Sequence, residues 1–270
     1  MAIKLVISDI DGTLIDETET IPQKLIETVQ KCKAQGILFS LATGRTKELV
    51  NEVVQKLGIS DPYVISNGAC IFKGEECLEA HGFSAYPILP IIRRADAEGL
   101  TVTIADTRFE KALRLTDYVR GHQQFGNRFQ SFIDPETEDW EHATFQKLMI
   151  MDEHRTGKIV GIRESLKPFA EQYWITTYSD MAVELGPKGC NKASGVKALV
   201  KRLGIQPEEV MACGDFSNDV EMLQYAGIGV AVANASPYVK ERADYVATKS
   251  YALGVVEAVE KYCLEGGAML

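Results

Sequence analysis

The sequence predicts an α/β fold: a doubly wound parallel-sheet core built from both ends of the chain, with a second α/β domain inserted between them. Three observations lead there. Apolar, strand-like runs alternate with amphipathic helical stretches from residue 4 to 66 and again after residue 192, an order that implies a parallel sheet covered by helices on both faces. Polar residues gather where those runs end. The middle of the chain changes character, with the strand-like segments "TVTIAD", "FQKLMIMD", "YWITTYS" and "MAVEL" and both tryptophans, Trp140 and Trp174.

Residues 4–10 read as a buried strand. An amphipathic helix runs from Ile21 to about Gln35, with Pro22 in its first turn and Gly36 at its end. "ILFSLAT" (37–43) is a second strand, 46–57 a helix stopped by Gly58, and "YVIS" (63–66) a third strand. Past the middle come a helix over 192–203, the strand "EVMACGD", a helix over 218–225, the strands "GIGVAVA" and "YVAT", and a last helix near 253–262. Helical stretches near 87–98 and 158–171 interleave with the middle strands. The expected domains are a core of residues 1–82 and 188–270 and an inserted α/β domain of residues 83–187, opened by Gly82 and closed by Gly186-Pro187. Two close crossings would let the insertion act as a lid. One continuous α/β domain is the alternative.

The composition narrows the function. A net charge of −9 over 270 residues fits a soluble protein and disfavours nucleic-acid binding by a broad basic surface, while leaving room for a local pocket for a small anion. Six cysteines, none in a C-x-x-C pair, read as reduced thiols of a cytoplasmic protein. Neither a signal peptide nor a membrane span is expected. Asn234-Ala-Ser236 reads as a chance glycosylation match followed by Pro237.

The strand ends carry the chemistry. Asp9 and Asp11 end the first strand, Thr43-Gly44-Arg45 the second, Ser66-Asn67-Gly68 the third, and Gly214-Asp215 the fourth, with Asn218-Asp219 just beyond. Ligands of doubly wound sheets sit at this rim. Any one group could be an ordinary turn or helix cap; convergence of all of them by accident is far less expected. Asp9, Asp11, Asp215 and Asp219 would crowd one crevice. Two like charges ~4 Å apart repel by about 4 kcal/mol at an effective dielectric near 20, so the cluster needs a cation or protons. Oxygen donors alone suit Mg²⁺, and the four histidines, all in or beside the middle block without ligand spacing, argue against zinc.

Lys192 opens an apolar-periodic helix, where the helix dipole disfavours a cation. It is either a solvated lysine or a point charge reaching a phosphate or carboxylate. The Thr43 hydroxyl and Gly44 amide, at another helix start, would add neutral donors for the same anion.

Taken together, "DIDGT", "ATGR", Lys192 and "GDFSND" resemble the four motifs of the haloacid dehalogenase (HAD) superfamily, in order, across the whole core. The insertion after "SNGA" resembles the Cof-type phosphatases with an α/β cap of type C2B. The resemblance implies a Rossmann-like core and a Mg²⁺-dependent phosphatase working through an aspartyl-phosphate. Asp9 would be the nucleophile and Asp11 the general acid and base, with Thr13 fixing the Asp11 turn. Thr43, Lys192 and the Gly44 and Ile10 amides would hold the phosphoryl group. Asp215 would bind the metal together with Asp9 and the Asp11 carbonyl, Asp219 would bind it or orient its waters, and Asn218 would bond the phosphate or Lys192. The segment "TKSYALGV" (248–255) departs from relatives that carry an Asn and an acid there.

The expected substrate is a small phosphate ester such as a sugar phosphate, with no nucleic acid or membrane partner. The oligomeric state stays open. A phosphomutase, using arginines of the middle block to grip a second phosphate, and a non-catalytic binder of phosphorylated metabolites are the rival readings. Arg45, Asn67 and Glu184 are candidates for the pocket wall.

Overall fold

The structure is a computed structural model, and it describes residues 2–123 and 128–264. In chain order, β1 (Leu5–Ser8), α1 (Gln23–Ala34), β2 (Leu38–Leu41), α2 (Lys47–Lys56) and β3 (Tyr63–Ile65) lead into β4 (Cys70–Lys73) and β5 (Glu76–Ala80). The middle holds α3 (Leu89–Ala97), β6 (Thr101–Ala105), β7 (Glu110–Ala112), α4 (Asp117–His122), β8 (Lys147–Met151), α5 (Lys158–Leu166), β9 (Tyr173–Tyr178) and β10 (Ala182–Pro187). Then follow α6 (Lys192–Leu203), β11 (Val210–Gly214), α7 (Val220–Tyr225), β12 (Ile228–Ala231), α8 (Pro237–Lys240), β13 (Tyr245–Val246) and α9 (Tyr251–Val259).

Two compact units divide the chain. One comprises Met1–Gly44, Asn51–Leu78 and Asn191–Leu270; the other comprises Glu79–Cys190 together with the short stretch Arg45–Val50. The first is built on a parallel sheet in the order β13-β12-β11-β1-β2. Leu5, Val6 and Ile7 of β1 are fully buried, as a central strand covered on both faces requires. α1 packs on α9, and α6 packs on α7 and β3. Gly195 makes the last contact possible, because a side chain there would strike Val64 and the backbone of Gly68.

The third strand departs from expectation. Val64 meets the parallel sheet only through a single bridge to Ala42, and β3 otherwise pairs antiparallel with β4 in a three-stranded β3-β4-β5 sheet. The turn after Lys73 uses Gly74 at φ +56°, a conformation glycine adopts without cost. Pro22 precedes α1 as its cap residue instead of lying in its first turn.

The second unit carries an antiparallel sheet, order β7-β6-β8-β10-β9. Val102, Ile104, Leu148, Ile150, Val183 and Leu185 alternate onto one face and form a core with Ile92 of α3 and with Ile159 and Ile162 of α5. On the other face, buried Glu110 bonds Lys147 at 2.9 Å and Arg128 at 2.8 Å. Burial alone would raise the Glu110 carboxyl, but the two cations outweigh it and hold it at about 2. All six cysteines are free thiols. Among the described residues, no helix is long and apolar enough to cross a membrane.

Candidate functional site

Strand register builds the site. Ser8 of β1 lies opposite both Cys213 of β11 and Leu41 of β2, so β1 and β2 end level and β11 runs one residue further, to Gly214. Asp9 follows Ser8, Asp215 follows Gly214, and Ala42-Thr43 follow Leu41. The Asp9 amide donates to the Cys213 carbonyl at 3.0 Å, which locks the nearest acid to the neighbouring strand.

Lys192 closes the constellation. Its Nζ lies 2.7 Å from Asp9 Oδ1 and 2.6 Å from Asp219 Oδ1, and all three residues are buried. The lysine stands first in α6, against the dipole, because Asn191 and Ser194 cap that end reciprocally and two carboxylates neutralise the charge. Asp219 Oδ2 also accepts from the Asp215 and Phe216 amides, both at 3.0 Å. One oxygen of each of Asp9, Asp215 and Asp219 lies within 4.8 Å of the others.

One lysine does not balance three carboxylates. Burial pushes the Asp9 carboxyl up; Lys192 opposes that, Asp219 and Asp11 reinforce it, and the group stands at about 8. Burial raises Asp215 to about 6, against the pull of the Thr13 hydrogen bond. Burial works against a charged Lys192, yet Asp219 and Asp9 hold it well above the ordinary lysine range. Fully ionised, the cluster would therefore carry more negative charge than its protein partners offset. All its donors are oxygen, a set that suits a hard divalent cation.

The turn after Asp9 is tightly specified. The Ile10 carbonyl accepts from the amides of Thr13, Leu14 and Ile15. Gly12 sits at φ +84°, and the Asp215 carboxylate fills the space its side chain would need. Thr13 Oγ1 donates to Asp215 Oδ1 at 2.6 Å, tying the turn to the acid across the sheet. Asp11 is exposed on this turn, and its carboxylate lies outside the group of three.

At the next strand end, Thr43 is fully buried; its amide donates to the Val64 carbonyl, and its carbonyl accepts from the Asn67 amide. The Asn67 side chain packs over Gly44, where a Cβ would meet it at 3.2 Å. Asn67 Oδ1 accepts from Asn218 Nδ2 at 3.4 Å. Ile10, Thr43, Gly44, Asn67, Lys192, Asn218 and the acids thus all belong to the first unit. Arg45 and Glu184 belong to the second, where Arg45 donates to the Leu49 carbonyl at 3.3 Å and Glu184 accepts from the Tyr178 hydroxyl at 3.2 Å.

Asn234 escaped the reading of the sequence. Its Nδ2 donates to the Gly12 carbonyl at 2.7 Å, and its Oδ1 accepts from the Tyr251 amide at 2.8 Å. Its one signal was its place directly after the strand "GIGVAVA", at the same rim as the acids.

Comparison with known proteins gives the family and the fold. The profile of the haloacid dehalogenase-like hydrolases matches residues 6–259. A phosphoglycolate phosphatase of Methanoculleus marisnigri is 28% identical over 96% of this chain and 97% of its own length. The 5-amino-6-(5-phospho-D-ribitylamino)uracil phosphatase YcsE of Bacillus subtilis is 27% identical, covering 97% and 96%. Among solved structures, a haloacid dehalogenase-like hydrolase from Bacteroides thetaiotaomicron superposes with a TM-score of 0.83 at 26% identity, covering 96% and 98%. A sugar phosphatase of HAD subclass IIB gives 0.80 at 25% identity, covering 95% and 98%.

Proposed function

We propose, from the premise that this chain belongs to the haloacid dehalogenase-like hydrolases and is a phosphatase of that superfamily, that it hydrolyses a small phosphorylated metabolite through an aspartyl-phosphate on Asp9, with Mg²⁺ as cofactor. The observation that carries this reading is Lys192 Nζ held between Asp9 and Asp219, beside Asp215. A buried carboxylate can attack an anionic ester only where cations offset the repulsion between them.

In the first displacement an Asp9 carboxylate oxygen bonds to phosphorus and the ester P–O bond breaks. Asp11 gives its proton to the departing alcohol oxygen. In the second, Asp11 takes a proton from water, the resulting hydroxide bonds to phosphorus, and the acyl-phosphate P–O bond breaks to restore Asp9. Dividing the hydrolysis in this way is covalent catalysis. Lys192, the Thr43 hydroxyl and the Gly44 and Ile10 amides hold the phosphoryl oxygens, with Asn218 beside them. Positioning and charge stabilisation of this kind supply most of phosphoryl-transfer catalysis.

Asp9, Asp215, Asp219 and the Asp11 carbonyl would hold the cation. The excess negative charge of the ionised cluster and its all-oxygen donors fit Mg²⁺. Bound there, the ion supplies Lewis acidity and charge neutralisation.

The relatives' names point to small phosphorylated acids, polyols and sugars, and we assign the substrate to that class. Arg45, Asn67 and Glu184 remain our candidates for the pocket wall. No observation favours a mutase: Arg93, Arg94, Arg114 and Arg128 of the second unit are each paired with a carboxylate of the same unit. The test is phosphate release by the purified protein with Mg²⁺ from 4-nitrophenyl phosphate and a panel of sugar and acid phosphates. Release from the aryl ester and from a subset of the panel is expected; release from none rejects the proposal.

A further inference from the structure

We infer that Asn234 is a positioning residue for Asp11, holding the turn that aims the general acid; the inference rests on the phosphatase reading above. Asp11 lies on the exposed turn after β1, next to Gly12, so the placement of the Asp11-Gly12 backbone fixes where its side chain starts. Gly12 is pinned on both sides. The Gly12 amide donates to the Ile15 carbonyl at 3.0 Å, and the Gly12 carbonyl accepts from Asn234 Nδ2 at 2.7 Å. The second bond crosses 222 positions of sequence.

Asn234 is itself held. Its Oδ1 takes the Tyr251 amide at 2.8 Å, and the Ala233 amide bonds the Lys249 carbonyl at 3.0 Å. Tyr251 adopts φ +52°, a left-handed conformation that costs a non-glycine residue energy, and in it Tyr251 bonds Asn234. Two residues on, the Ser236 amide donates to the Asp215 carbonyl at 3.1 Å. Residues 233–236 therefore touch the backbone beside the general acid and the backbone of a metal-cluster acid at once. Both polar ends of an exposed asparagine are spent on backbone groups of other segments, although water was available to both. The segment 248–251, which lacks the expected asparagine, is thus joined to the site through Asn234.

General-acid positioning has a signature that plain structural support lacks. A poor leaving group needs the proton from Asp11, and a good one departs largely without it. Phenyl phosphate and 4-nitrophenyl phosphate have similar shapes but leaving groups of different acidity. kcat/KM covers only the steps through alcohol release, so it isolates the acid's part from the later attack of water.

The experiment compares kcat/KM for both esters in the Mg²⁺-loaded parent, Asn234→Ala, Asn234→Asp and Asp11→Asn, with thermal midpoints measured alongside. Asn234→Ala should lose about tenfold or more on phenyl phosphate and stay within about threefold on 4-nitrophenyl phosphate. Asn234→Asp keeps the acceptor for Tyr251 and loses the donor to Gly12, so it should be at least as selective. Asp11→Asn should show the same selectivity in stronger form. If the Asn234 variants lose equally on both esters, or lose nothing, while Asp11→Asn is selective, the inference is overturned and the phosphatase reading stands. If Asp11→Asn shows no selectivity, the acid assignment falls and takes the inference with it.

Discussion

Lys192 and Asp219 form a buried ion pair, Nζ to Oδ1 2.6 Å, and the same Nζ lies 2.7 Å from Asp9. Each acid depends on a cation it shares. Lys192→Met should leave two buried carboxylates facing one another. Folding stability should fall by about 3–5 kcal/mol in urea denaturation without divalent ions. Turnover of 4-nitrophenyl phosphate should drop by about a hundredfold or more, and added Mg²⁺ should restore part of the stability but not the rate.

Asp9→Asn separates chemistry from folding. Asparagine fits the same space and is neutral where burial already disfavours the charged carboxylate. The variant should melt no lower than the parent in the absence of divalent ions, while phosphate release falls by ~10⁴ or more. Circular dichroism melts and a phosphate assay read the two halves, and retained turnover would contradict the nucleophile assignment.

Metal dependence should appear in stability as well as in rate. Chelation should abolish turnover. Mg²⁺ at a hundred times its dissociation constant should stabilise the parent by about 2.7 kcal/mol. Asp215→Asn should lose most of that gain. A parent whose thermal midpoint ignores Mg²⁺ would count against the ligand set.

Gly12 and Gly36 make a matched pair. Both have positive φ, +84° and +76°, but only Gly12 faces a carboxylate where a Cβ would stand; Gly36 faces open space. Gly36→Ala should cost about 1–2 kcal/mol and leave kcat/KM unchanged. Gly12→Ala should cost more and also lower kcat/KM, since it displaces Asp215. Equal effects on activity would mean that the turn tolerates movement.

The second unit should be acid-labile through Glu110. Its folded-state pKa of about 2 lies below the usual value of 4.5, so its stabilising contribution is complete above the unfolded value. That contribution fades as pH falls from about 4.5 towards about 2, as Glu110 takes up a proton and releases Lys147 and Arg128. Glu110→Gln should be less stable than the parent at neutral pH and should lose less on acidification. Denaturation midpoints across that range check the slope.

The sequence displayed the fold class and the meeting of four charged residues more fully than the short elements around them. Asp9, Asp215, Asp219 and Lys192 were readable because strand ends in a parallel sheet share one rim, and apolar runs mark the strands. α6 begins at Lys192 as expected, since the lysine precedes a clear helical period. The β4-β5 hairpin was missed: its strands are short, β5 is half-exposed, and the turn signal is a single Gly74. β7 and α4, at 3 and 6 residues, carry too few apolar side chains for periodicity to register. Asn234 escaped for another reason. Its role depends on two loops distant in sequence meeting in space, and its place after "GIGVAVA" is the one local mark of that meeting.

The fixed register between the ends of β1, β2 and β11 makes the sheet a measuring device. Adding one residue ahead of Asp9 or Asp215 would advance that acid by about 3.3 Å and turn its side chain to the opposite face, separating groups that now share one lysine. Connections at the far edge of the sheet can lengthen without this penalty. Divergence among relatives of this chain should therefore concentrate in those connections and in the insertion, while the count of residues from strand start to acid stays unchanged.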